Sequence, residues 1–398
     1  MLIPTDLSGL SDLKGKKGND FAALKKKYGG FYYPQAAVEF GGEPLKDKKG
    51  RVAINEISVE LTSGYEASVA SLRLYGVYSP QSGKFEYDSL KKQVLLGNTL
   101  TVKFGYLETL ETVFTGFVAG VNFVYSEGEM PYVEVTGMDI KGIMMAGRYA
   151  EQLVATSYGE AVREILRKTA YERLQTSGAV TMIAVSDTPD KLSGGGGSGK
   201  ASAYTVEMSS ESDYEFVVKA AKKFNYEFFT DRGTVYFRRA KSNAAVLLTI
   251  GIAEGLLDFD VGYSITGVAE TVEAVAVDAG TGKIISARKK FTNNLSLGSY
   301  AKKLISKSRR VYIDPTIISK EHADARAASL METMSYRLGA LNCTCVGLPE
   351  LQPGRFIQLS GLGSPVDNKF YLTSAVHAIN SETGYRVQLT GCADAVEK

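Results

Sequence analysis

One stretch, Ser212 to Arg238, limits what this chain can fold into, because it encodes a helix and a hairpin back to back. Ser212 and Glu215 hold the S-x-x-E spacing of a capping box, in which each side chain satisfies a backbone N–H at a helix start. Tyr214, Val217, Val218, Ala221 and Phe224 recur every three or four residues, which gives that helix one apolar face. Asn225, a residue that tolerates the left-handed conformation, stands where the helix should end. Tyr226 to Phe229, a turn at Asp231-Arg232-Gly233, and Val235 to Arg238 then read as a β-hairpin. Long β-rich segments lie on both sides. The module is therefore expected in the middle of the chain, with a β-domain on either flank.

The 398 residues divide on composition and periodicity, at roughly 100–200 residues per domain, into a few units. Residues 1–30 are rich in Lys, Gly, Asp and Ser with little apolar period, and read as a flexible basic arm. Residues 31–150 form the first β-domain, with short strands and turns at the spacing of a sandwich or barrel. Residues 151–245 form an α/β insertion module. Its first helix opens at Ser157 with Glu160 as capping-box partner and a stripe of Val162, Ile165, Leu166, Thr169, Ala170 and Leu174, and a Gly/Ser-rich loop spans 193–202. Residues 246–398 form the second β-domain, with a helical insertion at about 293–340 whose helix is capped by Ser319 and ended by Gly339.

The two β-domains resemble each other. Gly97-Asn98-Thr99-Leu100-Thr101-Val102 lines up with Gly354-Arg355-Phe356-Ile357-Gln358-Leu359, and Val135-Thr136-Gly137-Met138-Asp139 with Leu389-Thr390-Gly391-Cys392 and Asp394 just beyond. Val113-Phe114-Thr115-Gly116 is matched loosely by Lys369-Phe370-Tyr371-Leu372. Two accounts stand. Either β-hairpins of similar composition align a little by chance, or the chain carries two copies of one unit. If copies, Leu100 and Val102 should correspond in the core to Ile357 and Leu359, and Val135 to Leu389, because a slip of one residue would turn every side chain to the other face.

Bulk charge excludes one class of function. A net charge of +2 is no basic field of the kind that marks nucleic-acid binders, so no specific nucleic-acid binding is expected. The basic clusters at Lys14–Lys17, Lys25–Lys27 and Lys46–Arg51 sit in glycine-containing segments and read as solvated. No run approaches a membrane span, and the N-terminus lacks a signal-peptide pattern, so the chain is expected in the cytoplasm or to leave by a route that needs no such peptide. Three cysteines, Cys343, Cys345 and Cys392, are too few for a disulfide framework and fit a reducing compartment.

Motifs that could carry chemistry are weak. Gly194 to Lys200 matches the G-x-x-x-x-G-K part of a phosphate loop, but Ala201 stands where Ser or Thr should hold magnesium. Thr188-Pro189-Asp190-Lys191 separates the glycines from the preceding strand, and Tyr204 to Met208 alternates like a strand and not a helix, so a surface loop is the reading. Cys343 and Cys345 point to one face of a strand, but C-x-C is not the knuckle of structural zinc sites, and buried free thiols are expected. His322 and His377 have no nucleophile at a recognisable spacing and read as structural. No catalytic, cofactor or metal site is assigned.

The run Ser210-Glu211-Ser212-Asp213-Tyr214-Glu215-Phe216-Val217, ending in Phe224-Asn225-Tyr226-Glu227-Phe228-Phe229, resembles the helix and aromatic strand of the VgrG spike proteins and of the late control D family of contractile phage tails. Gly347-Leu348-Pro349-Glu350-Leu351-Gln352-Pro353-Gly354, then Tyr371 to His377 and Gly384-Tyr385, is similar to the last β-domain of that family. The resemblance covers about residues 50–395 and rests on structural signatures. It implies a non-enzymatic baseplate hub: two tail-tube-like β-barrels flanking a small α/β module, assembled as a homotrimer that joins a hexameric tail tube to a spike and contacts other baseplate proteins. Such a protein is made in the producing cell's cytoplasm and ends in the particle. VgrG proteins continue into a needle, whereas this chain stops at Lys398, so the spike is expected as a separate polypeptide. Two other classes remain as alternatives: a tail-tip carbohydrate- or receptor-binding β-protein, and a nucleotide-dependent enzyme using the Gly194–Lys200 loop.

Overall fold

Alternating apolar and polar residues dominate the segments on either side of the helix-and-hairpin module, and they pair into one large, mainly antiparallel sheet. The computed structural model describes residues 18–46, 50–190, 206–278, 280–295, 297 and 300–397. Twelve strands carry the main sheet: β1 (Pro34–Phe40), β2 (Ala53–Thr62), β3 (Val69–Tyr75), β4 (Thr99–Tyr106), β5 (Thr109–Val124), β6 (Tyr132–Met138), β7 (Val246–Ile250), β8 (Leu256–Tyr263), β9 (Gly339–Val346), β10 (Phe356–Leu359), β11 (Lys369–Asn380) and β12 (Gly384–Ala393). A two-residue strand, Glu43–Pro44, extends it beyond β1.

These strands form two units with the same spatial order, β1-β4-β5-β6-β3-β2 and β7-β10-β11-β12-β9-β8. The pairing agrees residue by residue. Leu100 faces Gly116 and Ile357 faces Phe370; Val118 faces Gly137 and Leu372 faces Gly391; Leu72 faces Val135 and Cys343 faces Leu389; Ile57 faces Leu72 and Phe259 faces Cys343. Two bulges coincide, at Val118/Gly120 and Leu372/Ser374, and at Ile54/Glu56 and Leu256/Asp258, while those at Val102/Lys103 and Val246/Leu248 have no counterpart. Bulges are defined local features that bend and twist a strand, so shared ones mark shared geometry and not shared composition. Leu100, Val102, Val135, Ile357, Leu359 and Leu389 are all buried. The loose match of Val113–Gly116 to Lys369–Leu372 is two residues out, because Gly116 and Phe370 hold the same place.

Two expectations change. Neither unit closes into a barrel among the described residues; instead β2, paired with β3 on one edge, pairs on its other edge with β11 of the second unit, from Glu56 opposite Asn380 to Thr62 opposite Ser374. The path is one open sheet through both units. The N-terminal segment also departs from a flexible arm between residues 18 and 31. Asn19 bridges to Leu248, Asp20 caps α1 (Phe21–Lys27), and Leu24 and Tyr28 are buried in the main core. Three consecutive lysines conceal a helix with one buried side chain, Leu24, followed by buried Tyr28 at its C-cap.

The module is built as its local signals require. Ser212 and Glu215 close a full capping box on α3 (Asp213–Phe224), reached after α2 (Tyr158–Leu166), and Asn225 ends it at φ 57°. The hairpin Tyr226–Asp231/Thr234–Arg239 turns on Arg232 and Gly233, both at positive φ, and takes Met182–Val185 as a third strand. Val217, Val218 and Ala221 are buried, Tyr214 and Phe224 half-buried, and Phe216, absent from the predicted stripe, is wholly buried. Phe216 stacks on Tyr158 of α2, so α3 packs on two sides and not one. In α2 the box is split: Ser157 caps Glu160 N–H, but Glu160 accepts from Thr156. That helix stops at Leu166, leaving Thr169 and Ala170 exposed. In the second unit an insertion folds as strands Thr271–Val277, Ile284–Lys290 and Arg309–Ile313 under α4 (Lys320–Ser335), which Ser319 caps; that helix ends at Tyr336, and Gly339 opens β9.

Candidate assembly surface

Of the groups singled out in the sequence, His377, Cys343 and Cys345 are buried in the core. His377 lies on β11 with 0% exposure, its Nδ1 accepting from the Tyr385 hydroxyl at 2.8 Å and its Nε2–H donating to Leu351 O at 2.9 Å. Burial pushes its pKa down to about 3, so it is a neutral, fully bonded core imidazole at physiological pH. Cys343 and Cys345 share the buried face of β9, Cys392 is half-buried, and all three are free thiols. Burial pushes Cys392 up to about 11, away from the thiolate that metal binding requires. Among the described residues no cluster of His, Cys, Asp and Glu could hold a metal ion. His322 lies in the first turn of α4 and lines a cleft with Tyr158, Asp190, Lys223 and Arg326. The Asp190 carboxylate there accepts the Tyr158 N–H at 3.0 Å, supporting the start of α2. The Gly194–Lys200 run lies outside the described residues. No helix of the described residues is long and apolar enough to cross a membrane.

Buried charges instead clamp the module to both units. On the first, Lys141 is wholly buried, donates to Glu66 O and lies 3.5 Å from Asp139, which caps its own helix and accepts the Ser68 N–H. Lys141 Nζ also reaches Phe228 O of the module hairpin at 3.4 Å. On the second unit, buried Glu227 pairs with Arg238 at 3.1 Å and accepts from the Tyr371 hydroxyl, while Arg238 donates to Gly354 O at 2.8 Å. These contacts tie the hairpin to the first unit through Lys141 and to the second through Glu227 and Arg238.

Two strand edges are open among the described residues. Beyond Val118, β5 is paired there on the β6 side alone, and β8 pairs there only with β9. An unpaired edge carries N–H and C=O groups that another strand can satisfy. Both edges also expose large apolar side chains: Phe123 (45%) and Tyr125 (64%) at the end of β5, Leu257 (50%) and Phe259 (40%) on β8. Pairing between copies through sheet edges is what the duplicated sequence leads one to expect; which strands and side chains form those edges was not legible, although Ile57 and Phe259 occupy one position.

This fold recurs in known proteins. The chain is similar to the 43 kDa tail protein of prophage MuSo2 from Shewanella oneidensis (TM-score 0.61, 14% identity, 92% of this chain and 100% of that one). It is also similar to a tail protein from Neisseria meningitidis MC58 (TM-score 0.62, 11% identity, 92% and 98%). A third likeness is to an E. coli component of the type VI secretion system, described as similar to the T4 bacteriophage tail proteins gp27 and gp5 (TM-score 0.53, 12% identity, 91% and 78%). At these identities the likeness is one of fold. A family model described as Alg8 N-terminal domain matches residues 198–381, less than half of the chain. That span ends in the turn between β11 and β12 and leaves β12 outside, so it does not coincide with a folded unit. No curated protein matches the chain.

Proposed function

We propose that this chain is a structural baseplate hub of a contractile phage tail or phage-like injection system, a homotrimer that adapts a hexameric tail tube to a separate central spike. The observation that carries the reading is the duplication. Two units with the same strand order and two shared bulges, joined edge to edge within one chain, let three copies present six similar units to a sixfold partner. Tail and secretion proteins of the same fold support the setting, and the buried clamps suit a part that must transmit load without chemistry. On this reading the units act as tube-like β-walls, other baseplate proteins dock outside them, and the protein passes from the producing cell's cytoplasm into the particle. The test is native mass by light scattering. Three chains of 43.0 kDa give 129 kDa, and a stable dimer or tetramer would overturn the hub.

A further inference from the structure

We propose that the free stretch of β5 receives β8 of a second copy of this chain, in the register by which β11 receives β2 within the chain. The inference is position for position. In the second unit, β11 leaves β10 at Leu372, whose N–H and C=O bond Arg355 and Gly354, and β2 then takes over from Ser374. In the first unit, β5 leaves β4 at Val118, whose N–H and C=O bond Asn98 and Gly97 in the same way, and nothing among the described residues takes over from Gly120. The place filled by β2 in one unit is open in the other. The strand that corresponds to β2 is β8, and no strand among the described residues pairs with its outer edge.

Exposure follows the same rule. Ile57, Val59 and Leu61 of β2 are buried against β11, whereas their counterparts Phe259, Val261 and Tyr263 remain partly or largely exposed. Ala375 and His377 of β11 are buried, whereas their counterparts Val121 and Phe123 are not. One chain thus carries a filled and an unfilled version of one joint. Within the chain Val59 faces His377 and Leu61 faces Ala375. Carrying each to its counterpart places Val261 opposite Phe123, Tyr263 opposite Val121, Phe259 opposite Tyr125 and Gly262 opposite Asn122. Aromatic and β-branched residues then meet across the strands, the pairing that stabilises sheets. The contact is head-to-tail, so it must close into a ring or run on as a filament. Closure at three copies rests on the hub reading; the strand pairing does not.

The experiment is a disulfide test on the full chain. A chain carrying Asn122→Cys and Gly262→Cys places the two thiols directly opposite across the joint, within the Cα separation a disulfide spans. Gly262 has open space for the added side chain, with nothing within 4 Å of its Cβ position. Mild oxidation should convert the monomer band into disulfide-linked species in denaturing gels, the largest being three chains. A chain with Asn122→Cys and Asp260→Cys, two residues out of register, should stay monomeric in the gel, as should the parent with its native thiols. Phe259→Glu, checked by melting to be folded, should abolish assembly. Cross-linking of both pairs alike, or of neither, overturns the proposed register, as does a Phe259→Glu chain that assembles like the parent. The two readings separate cleanly. A 129 kDa particle without the cross-link refutes the joint and leaves the hub, and a cross-linked ring of two or four chains supports the joint and refutes the hub.

Discussion

The two β-units differ less in their strands than in what surrounds them. Each has the same six-strand order, but the first gives up its β2 edge to β11, and the second keeps its β8 edge open. The first unit's outer strand β1 runs antiparallel to β4, whereas β7 runs parallel to β10 and is extended by the bridge from Asn19. A single repeat can therefore carry a covered edge or an uncovered one. Residue choice follows that assignment: the position that is Ile57 in one unit is Phe259 in the other, 4% against 40% exposed.

The widest separation between the units should come from placing one charge at that shared position. Ile57→Glu puts a carboxylate into the main core and is expected to cost several kcal/mol, enough to unfold the chain or lower its melting temperature sharply. Phe259→Glu should leave the melting of the isolated chain within about 1 kcal/mol of the parent, as for a surface change. Equal melting losses would end the claim that one edge is filled and the other open.

A second contrast uses pH. His377 stands where the first unit has Phe123. Its folded pKa is near 3 and an unfolded histidine titrates near about 6.5, so between those values the unfolded chain takes up a proton that the folded chain refuses. Its contribution is therefore largest above pH 6.5 and is lost progressively as pH falls toward 3. His377→Phe should lower stability at neutral pH by roughly 1–3 kcal/mol through the stranded Tyr385 hydroxyl and Leu351 carbonyl. It should also flatten the slope of melting temperature against pH between 6 and 4. An unchanged slope would mean the imidazole is not neutral in the fold.

The smallest effect concerns charge on the outer face. Arg73 on β3 bonds Glu56 at 2.8 Å and lies near Glu134, a cross-strand ladder; the matching positions in the second unit are Thr344, Asp258 and Gln388, where Asp258 accepts the Thr344 N–H. Arg73→Thr should cost about 1 kcal/mol or less and only at low salt, since exposed ion pairs are weak and screened. A loss that persists at high salt would show the ladder to be structural.

How much of this was legible in sequence depended on how local each signal was. The capping box at Ser212, the left-handed Asn225 and the Arg232-Gly233 turn act within a few residues, and the helix and hairpin formed as read. The duplication showed through Gly97/Gly354 and Gly137/Gly391, where strand and turn chemistry repeat in order. The joint between β2 and β11 left no trace, because its two strands lie more than three hundred residues apart and neither records its partner. Phe216 was placed off the buried face because a stripe of Tyr214, Val217, Val218, Ala221 and Phe224 assumes one neighbour, while α3 has two. No site was assigned from motifs, and the open edges came into view only when the two units could be laid side by side.

The joint between β2 and β11 also sets a timetable for synthesis. β2 ends at Thr62, but the residues that cover it begin at Ser374. At about 5–20 residues per second a ribosome leaves that edge waiting for roughly 15–60 s. Nascent chains on one message would meet with bare β2 edges, the condition for wrong pairing between neighbours. Glu60, exposed along the strand, places a negative charge on every such edge that repels an identical copy. The strand that locks the chain together last is thus the one that must be kept from locking too soon.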